Sequence, residues 1–214
     1  MAIMFICGDP HGDFSHIIRA ALAERPLAVI LLGDMDLGAN LDEVLKPLRG
    51  VTDILWIHGN HDTDTESTYD NLFQSDTCRN LHGKILTVHG RRIAGLGGVF
   101  RSRVWDGQQQ VWFRSPADYL AVCGKGNRWR DGLPLKHRST LFPSDFDGFL
   151  GERADVLVTH EAPVEHPHGF SVLSELAQRL NVEVAFHGHH HETIAYPESV
   201  WRGVGLREIL RYSW

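Results

Sequence analysis

Five short apolar runs recur along the chain, at residues 3–7, 27–32, 54–57, 154–158 and 183–186, and each leads straight into a polar loop. Short runs of this kind, closed by glycine, aspartate or histidine, predict strands buried on both faces. Between the first two, residues 14–24 place Ile17, Ile18, Ala21 and Leu22 on one helical face. Asp13 is a candidate cap for that helix and Pro26 lies beyond its end. Residues 41–48 predict a shorter helix. The order strand, helix, strand, helix, strand implies a parallel sheet covered by helices. Ligands gather at the carboxyl ends of such strands, which is where the polar loops lie.

Farther along, residues 84–88 and 91–96 predict two strands joined at His89-Gly90. A less regular stretch spans about 100–147. Residues 170–180 predict an amphipathic helix, and 194–196 and 206–210 predict closing strands. With no internal repeat and no low-complexity linker, residues 1–214 are expected to form one domain, with about 100–147 as a basic, Trp-containing insertion.

Composition narrows the chemistry. Hydrophobic residues make up 43% and charged residues 22%, the balance of a globular protein in water. A net charge of -6 argues against tight binding of polyanions by the surface as a whole. Cys7, Cys78 and Cys123 are odd in number and widely spaced, which argues against a disulfide framework or a thiolate zinc site. Fourteen histidines point instead to imidazole and carboxylate chemistry. Residues 1–7 are too short and lack the basic start of a signal peptide, and no apolar run nears the roughly 20 residues that span a bilayer. A cytoplasmic location with no membrane partner is the expectation.

The loops contain Asp9-Pro10-His11, Gly33-Asp34, Gly59-Asn60-His61-Asp62, His160 and Gly188-His189-His190-His191. Carboxylate, amide oxygen and imidazole suit divalent transition metals. Each piece alone is weak evidence, since Gly-Asp is ordinarily a turn and a lone histidine ordinarily a hydrogen-bonding residue. The ordered set, with every member at a strand end, argues for a metal site.

That ordered set resembles the calcineurin-like metallophosphoesterase superfamily, whose pattern is D-x-H, G-D, G-N-H-[DE], a lone H and G-H-x-H. The resemblance implies an α/β fold, a four-layer αββα sandwich of two mixed β-sheets flanked by helices. It also implies a dinuclear metal centre. By matching position, Asp9, His11 and His191 would hold one ion, Asn60, His160 and His189 the other, and Asp34 would bridge them. His61 would sit over the phosphate as a catalytic residue alongside Asp34. Two divalent transition-metal ions are expected, manganese first, with iron, zinc, cobalt and nickel as alternatives. Two such ions can acidify a bridging water for in-line attack on phosphorus.

The segment Gly33-Asp34-Met35-Asp36-Leu37-Gly38 departs from the G-D-x-x-D-R-G of the superfamily's phosphoprotein phosphatases. The departure argues against a protein substrate and leaves Asp36 as the candidate to orient His61. Asp62 is read as a loop-orienting or catalytic residue, and His58 and His187 as structural neighbours. Residues 101–138 carry eight basic residues against three aspartates, a net of +5, with Trp105, Trp112 and Trp129. Such a mixture can grip phosphates and stack bases, or can be a solvated insertion. Candidate substrate contacts are Asn60, His190, Arg101, Arg103 and His168. The expected function is a phosphodiesterase acting on a nucleotide or small organic diester. Nuclease action on nucleic-acid ends or single strands, phosphomonoesterase action and a non-catalytic scaffold are the alternatives. The oligomeric state is left open.

Overall fold

The computed structural model describes residues 2–214. Its first sheet holds β1 (Ile3–Cys7), β2 (Ala28–Leu31), β3 (Asp53–Trp56), β4 (Arg79–Asn80) and β11 (Ile209–Ser213), in the order β11-β1-β2-β3-β4. The second holds β5 (Lys84–Val88), β6 (Arg91–Leu96), β7 (Val156–Thr159), β8 (Val184–His187), β9 (Ile194–Ala195) and β10 (Trp201–Gly203), in the order β5-β6-β7-β8-β10-β9. In each sheet four neighbouring strands are parallel, β1 to β4 in the first and β6, β7, β8 and β10 in the second, while β11, β5 and β9 pair antiparallel at the edges.

Side-chain alternation explains the layering. In β1, Met4 and Ile6 join Ile30, Leu55, Val156, Val158 and Phe186 in a core between the sheets. Phe5 and Cys7 point the other way, toward Ile17 and Ala21 of α1 (Ser15–Glu24) and Leu41 of α2 (Leu41–Val44). On the outer face of the second sheet, Ala94, Leu157 and Ala185 pack on Leu173, Leu176 and Leu180 of α5 (Ser171–Leu180). The result is a four-layer αββα sandwich. Its parallel strands are buried on both faces, hence their nearly continuous apolar sequences.

The N-cap of α1 is Phe14, not the expected Asp13; Asp13 stands just before it and braces the entry, its Oδ1 accepting the Ser15 N–H at 3.0 Å and the Ser15 hydroxyl at 2.7 Å. Asp42 anchors the end of α2 to the loop before β4. It accepts from the N–H of Asp76 (2.7 Å), Thr77 (3.2 Å) and Cys78 (3.2 Å) and from the Thr77 hydroxyl (2.6 Å). Burial opposes ionisation, but these donors prevail and draw its pKa down to about 2.

Three departures from the sequence pattern matter. The last strand begins at Ile209 rather than 206, because Gly205 to Glu208 form a turn in which Glu208 accepts the Gly205 N–H at 2.8 Å. The helix α3 (Glu66–Phe73) has a threonine capping box, Thr65 with Thr68, but buries only Leu72, so it lacks an apolar stripe. Residues 100–147 contain α4 (Pro116–Val122) and several 3₁₀ turns, and their two ends are stitched together. Val99 N–H donates to Ser139 O (2.8 Å) and Leu141 N–H to Val99 O (3.0 Å).

Candidate metal centre

The loops after β1, β2, β3, β7 and β8 meet at one end of the sandwich. The His191 Nε2 lies 3.5 Å from Asp9 Oδ2 and 3.2 Å from His11 Nε2. His11 Nε2 lies 4.0 Å from Asp34 Oδ2. On the other side of that same oxygen is His160 Nε2, at 3.5 Å, which is also 3.3 Å from Asn60 Oδ1. Ligand atoms of Asp34, His160 and His189 all lie within 4.8 Å of one another. The seven side chains singled out at the strand ends are therefore neighbours, with Asp34 between a His11–His191–Asp9 group and a His160–His189–Asn60 group.

Buried polar atoms here lack protein partners. Asp9 is fully buried, its Oδ2 accepts the His189 N–H at 2.8 Å, and its Oδ1 has no hydrogen bond. His160 places Nδ1 2.8 Å from the Leu32 carbonyl, which fixes the proton there and turns the Nε2 lone pair into the site. Burial and the neighbouring His160 push the His189 pKa down to about 3, so its imidazole is neutral. Burial pushes the Asp9 carboxyl up. Asp34 is held low by His160 and by the His61 N–H on its Oδ1 (2.8 Å), which together outweigh its burial. A buried acceptor with no donor, set among imidazole nitrogens and a second carboxylate, fits a divalent cation.

Local backbone aims these groups at a cost. His11, Asp34, His189 and His191 have φ of 41, 50, 68 and 60°, all in the left-handed region. Such residues cost about 1 kcal/mol or more each and persist only where their surroundings fix them. The His11 N–H donates to Asp34 O (3.0 Å), and Arg207 donates to the Pro10 and His11 carbonyls (3.2 and 3.1 Å). Gly59 leaves room for Asp34, since a Cβ there would collide with its carboxylate.

One expectation is corrected. Asp36 does not orient His61. Its left-handed backbone (φ 52°) turns its carboxylate to His11 Nδ1 at 3.3 Å. Asp64 pairs with His61 Nδ1 instead, at 2.6 Å, because the 3₁₀ turn His61–Thr63 brings position i+3 beneath the ring. Asp62 ties two loops together, accepting the N–H of Met35 and of Gly59, each at 2.8 Å. His58 is buried with its pKa well depressed, and His187 binds the Tyr196 hydroxyl at 2.8 Å. Both pack rather than face the pocket.

Sequence patterns also missed Glu161. It is buried, its Oε1 accepts the Phe100 N–H at 3.1 Å, and burial raises its pKa to about 7. With His189 and His190 it forms a second cluster of metal-ligand type. Nothing marks it in the sequence beyond its place after His160.

Among the candidate substrate contacts, Arg101 lines a 470 Å³ pocket with Asn60, His61, Asp64 and His189. Arg103 lines the adjoining 480 Å³ pocket. His190 stacks on His166 at 3.9 Å, and exposed His168 stands 6.0 Å from His190, to one side. The tryptophans do not form a base-stacking platform. Trp129 has Arg130 and Arg138 over its ring at 4.1 and 4.9 Å, Trp105 is buried, and Trp112 is exposed alone. No helix among the described residues is long and apolar enough to cross a membrane.

Comparison with known proteins adds the following. Residues 4–193 match the family model of the calcineurin-like phosphoesterases. An uncharacterised protein of Haemophilus influenzae is 43% identical over 195 residues, covering 91% of this chain and 85% of the relative. The crystal structure of TT1561 of Thermus thermophilus superposes with a TM-score of 0.55 at 13% identity, over 99% of this chain and 98% of that one. A structure described as a novel phosphatase of Mycoplasma pneumoniae gives 0.52 at 13%, over 96% and 72%. At such identities these structures speak to the fold alone.

Proposed function

Since this chain belongs to the calcineurin-like phosphoesterase family, we propose that it hydrolyses a phosphodiester of a nucleotide or related small organic molecule at a pair of divalent metal ions. Membership makes it a phosphoester hydrolase that uses divalent metal. The diester, the pairing of the ions and the residue roles are our reading. The observation that carries it is the gathering of seven side chains from five strand ends, with His11 and His160 both near Asp34 Oδ2 and Asp9 Oδ1 buried and unpartnered.

In this reading Asp9, His11 and His191 hold one ion, Asn60, His160 and His189 the other, and Asp34 both. Manganese is the first candidate, and residues 1–214 act as one domain. Two divalent ions outweigh the charges of Asp9 and Asp34, so the loaded site stays positive and attracts phosphate. What such a pair supplies when bound is Lewis acidity and a water acidic enough to ionise near neutral pH.

The chain's own groups do the rest. His61 presents its ring to the pocket that Asn60 and His189 also line. Asp64 accepts the Nδ1 proton and leaves Nε2 to face the substrate. Burial disfavours the imidazolium, but Asp64 and Asp34 outweigh it and raise the pKa. The ring thus holds a proton for the leaving oxygen. Asp36 orients His11, and Leu32 O orients His160.

The test compares turnover of bis(p-nitrophenyl) phosphate and p-nitrophenyl phosphate by the metal-loaded protein, with manganese and with chelator, alongside a count of bound metal. Diester preference, two ions per chain and loss of activity on chelation are expected. Monoester preference would return the chain to the phosphomonoesterases. Fewer than two ions with no turnover of either ester would overturn the reading.

A further inference from the structure

The insertion begins and ends beside the metal centre, and among the described residues the cations of its neck meet no carboxylate. Arg101 is half-buried, and burial depresses its pKa. Its Nε donates to Thr140 Oγ1 (3.0 Å), and Nη2 donates to Lys136 O (3.2 Å) and Ser139 Oγ (3.3 Å). Among the described residues, no hydrogen bond engages Nη1 and no carboxylate forms an ion pair with the guanidinium. Asp64 and Glu161 act on it only at a distance. Lys136 stands exposed across the neck and Arg103 beyond it, both without an ion pair among the described residues.

Six arginines elsewhere meet a carboxylate, whereas Arg101, which does not, lines the pocket that holds His61. Arg91 binds Glu183 (2.9 Å), Arg92 binds Glu152 (2.6 Å), Arg130 binds Asp70 (2.6 Å) and Arg211 binds Glu24 (2.6 Å). A partly desolvated guanidinium held on one edge, with its other amino group free, is built to receive an anion. Two pockets meet at this point. The 470 Å³ pocket that contains His61 and the 480 Å³ pocket that contains Arg103 share Phe100, Arg101 and Lys136.

We propose that Arg101 and Lys136 form a subsite for a second phosphate, so that this enzyme acts on small nucleotides carrying another phosphate beside the scissile one. The proposal rests on the phosphoesterase reading and names its substrate class. The reacting phosphate lies at the metal centre beside His61. The second lies against Arg101 Nη1 and the Lys136 ammonium, and the rest of the molecule extends toward Arg103. A polyphosphate chain and a sugar bisphosphate present the same chemistry. Longer strands are disfavoured because the tryptophans of the insertion offer no open stacking row.

The test is calorimetric binding to the manganese-loaded protein, with manganese in constant excess. Its ligands are adenosine 5′-monophosphate, adenosine 5′-diphosphate and adenosine 3′,5′-bisphosphate. A charge-assisted contact to the second phosphate should tighten binding by about tenfold or more over the monophosphate. The ligand that gains most tells a chain from a bisphosphate. Arg101→Ala and Lys136→Ala should each remove most of that gain. Lys136 is exposed and its side chain makes no hydrogen bond, so Lys136→Ala tests the subsite even if Arg101→Ala unsettles the neck. Equal affinity for all three ligands, a gain that survives both variants, or tighter binding of an unstructured oligonucleotide than of any mononucleotide would overturn the subsite. A gain without turnover of any aryl ester would instead sink the hydrolase reading and leave the subsite standing.

Discussion

Two regions of this molecule bury an aspartate, and they treat it in opposite ways. Asp42, at α2, meets four donors, and its pKa falls to about 2. Asp9, at the end of β1, meets one N–H, keeps an unpartnered oxygen, and its pKa is pushed up. The first is a knot, whose carboxylate is the best partner for loop amides that water no longer reaches. The second keeps a buried oxygen without a protein donor, among histidines and left-handed backbone. Unmet polar need separates the site from the scaffold more sharply than burial or residue type does.

The largest expected effect tests the Asp9 side of the contrast at its centre. Asp34→Asn should lower activity by about 10³-fold or more and bring bound metal below one ion per chain, since Asp34 serves both groups. Elemental analysis and ester turnover read it. Full metal content in this variant would contradict the bridging role. In chelator, the same region should show the other side of its specialisation. Asp9→Asn removes a charge that burial disfavours, so the metal-free variant should melt at or above the temperature of the unmodified protein.

Next in size is the proton. His61→Ala should lower kcat by about 10²–10³-fold while leaving both ions bound, because no ligand role falls to His61. Asp64→Asn should act through the ring with a smaller loss, about tenfold, and Asp36→Asn should weaken metal binding instead. The pair of aspartates thus splits turnover from metal affinity. Equal metal loss in the Asp36 and Asp64 variants would erase that division.

How far this was legible in sequence follows from the same physics. The candidate ligands at the ends of β1, β2, β3, β7 and β8 could be found because buried parallel strands read as apolar runs and their loops must be polar. Asp64 could not, because nothing in Gly59-Asn60-His61-Asp62-Thr63-Asp64 says that a 3₁₀ turn will place i+3 under His61 rather than leave Asp36 there. The helix α3 escaped since its stabilising signal is a cap, not a stripe. The strand β10 escaped since three residues, Trp201-Arg202-Gly203, are too few to show alternation. Arg101 stood out only as one of eight cations, and which of them pair is a property of the fold.

Asp42 carries the third prediction, on stability. Its folded pKa lies below the ordinary carboxylate value of about 4. Its contribution is therefore complete above about pH 4 and is lost as pH falls through about 2. Asp42→Asn turns an amide NH₂ toward N–H donors and should cost about 2 kcal/mol at pH 6 by urea denaturation. The gap between variant and unmodified protein should narrow at pH 3. Turnover per folded molecule should not change. A variant that lost activity while still folded would join the two regions that the structure keeps apart.

The smallest effect concerns the insertion, where the same contrast recurs among cations. Arg130 meets Asp70 through two hydrogen bonds, 2.6 and 2.8 Å, and lies over Trp129. It is exposed and its charge is met by a carboxylate, so Arg130→Ala should shift the melting midpoint by less than about 2 °C and leave ligand affinity alone. Arg101, part-buried with no carboxylate and a free Nη1, should do the reverse. If Arg130→Ala weakened nucleotide binding as much as Arg101→Ala, the insertion would be acting through its overall charge. Unmet bonding capacity would then have failed as a guide to function in the one region where side-chain charge alone could have misled.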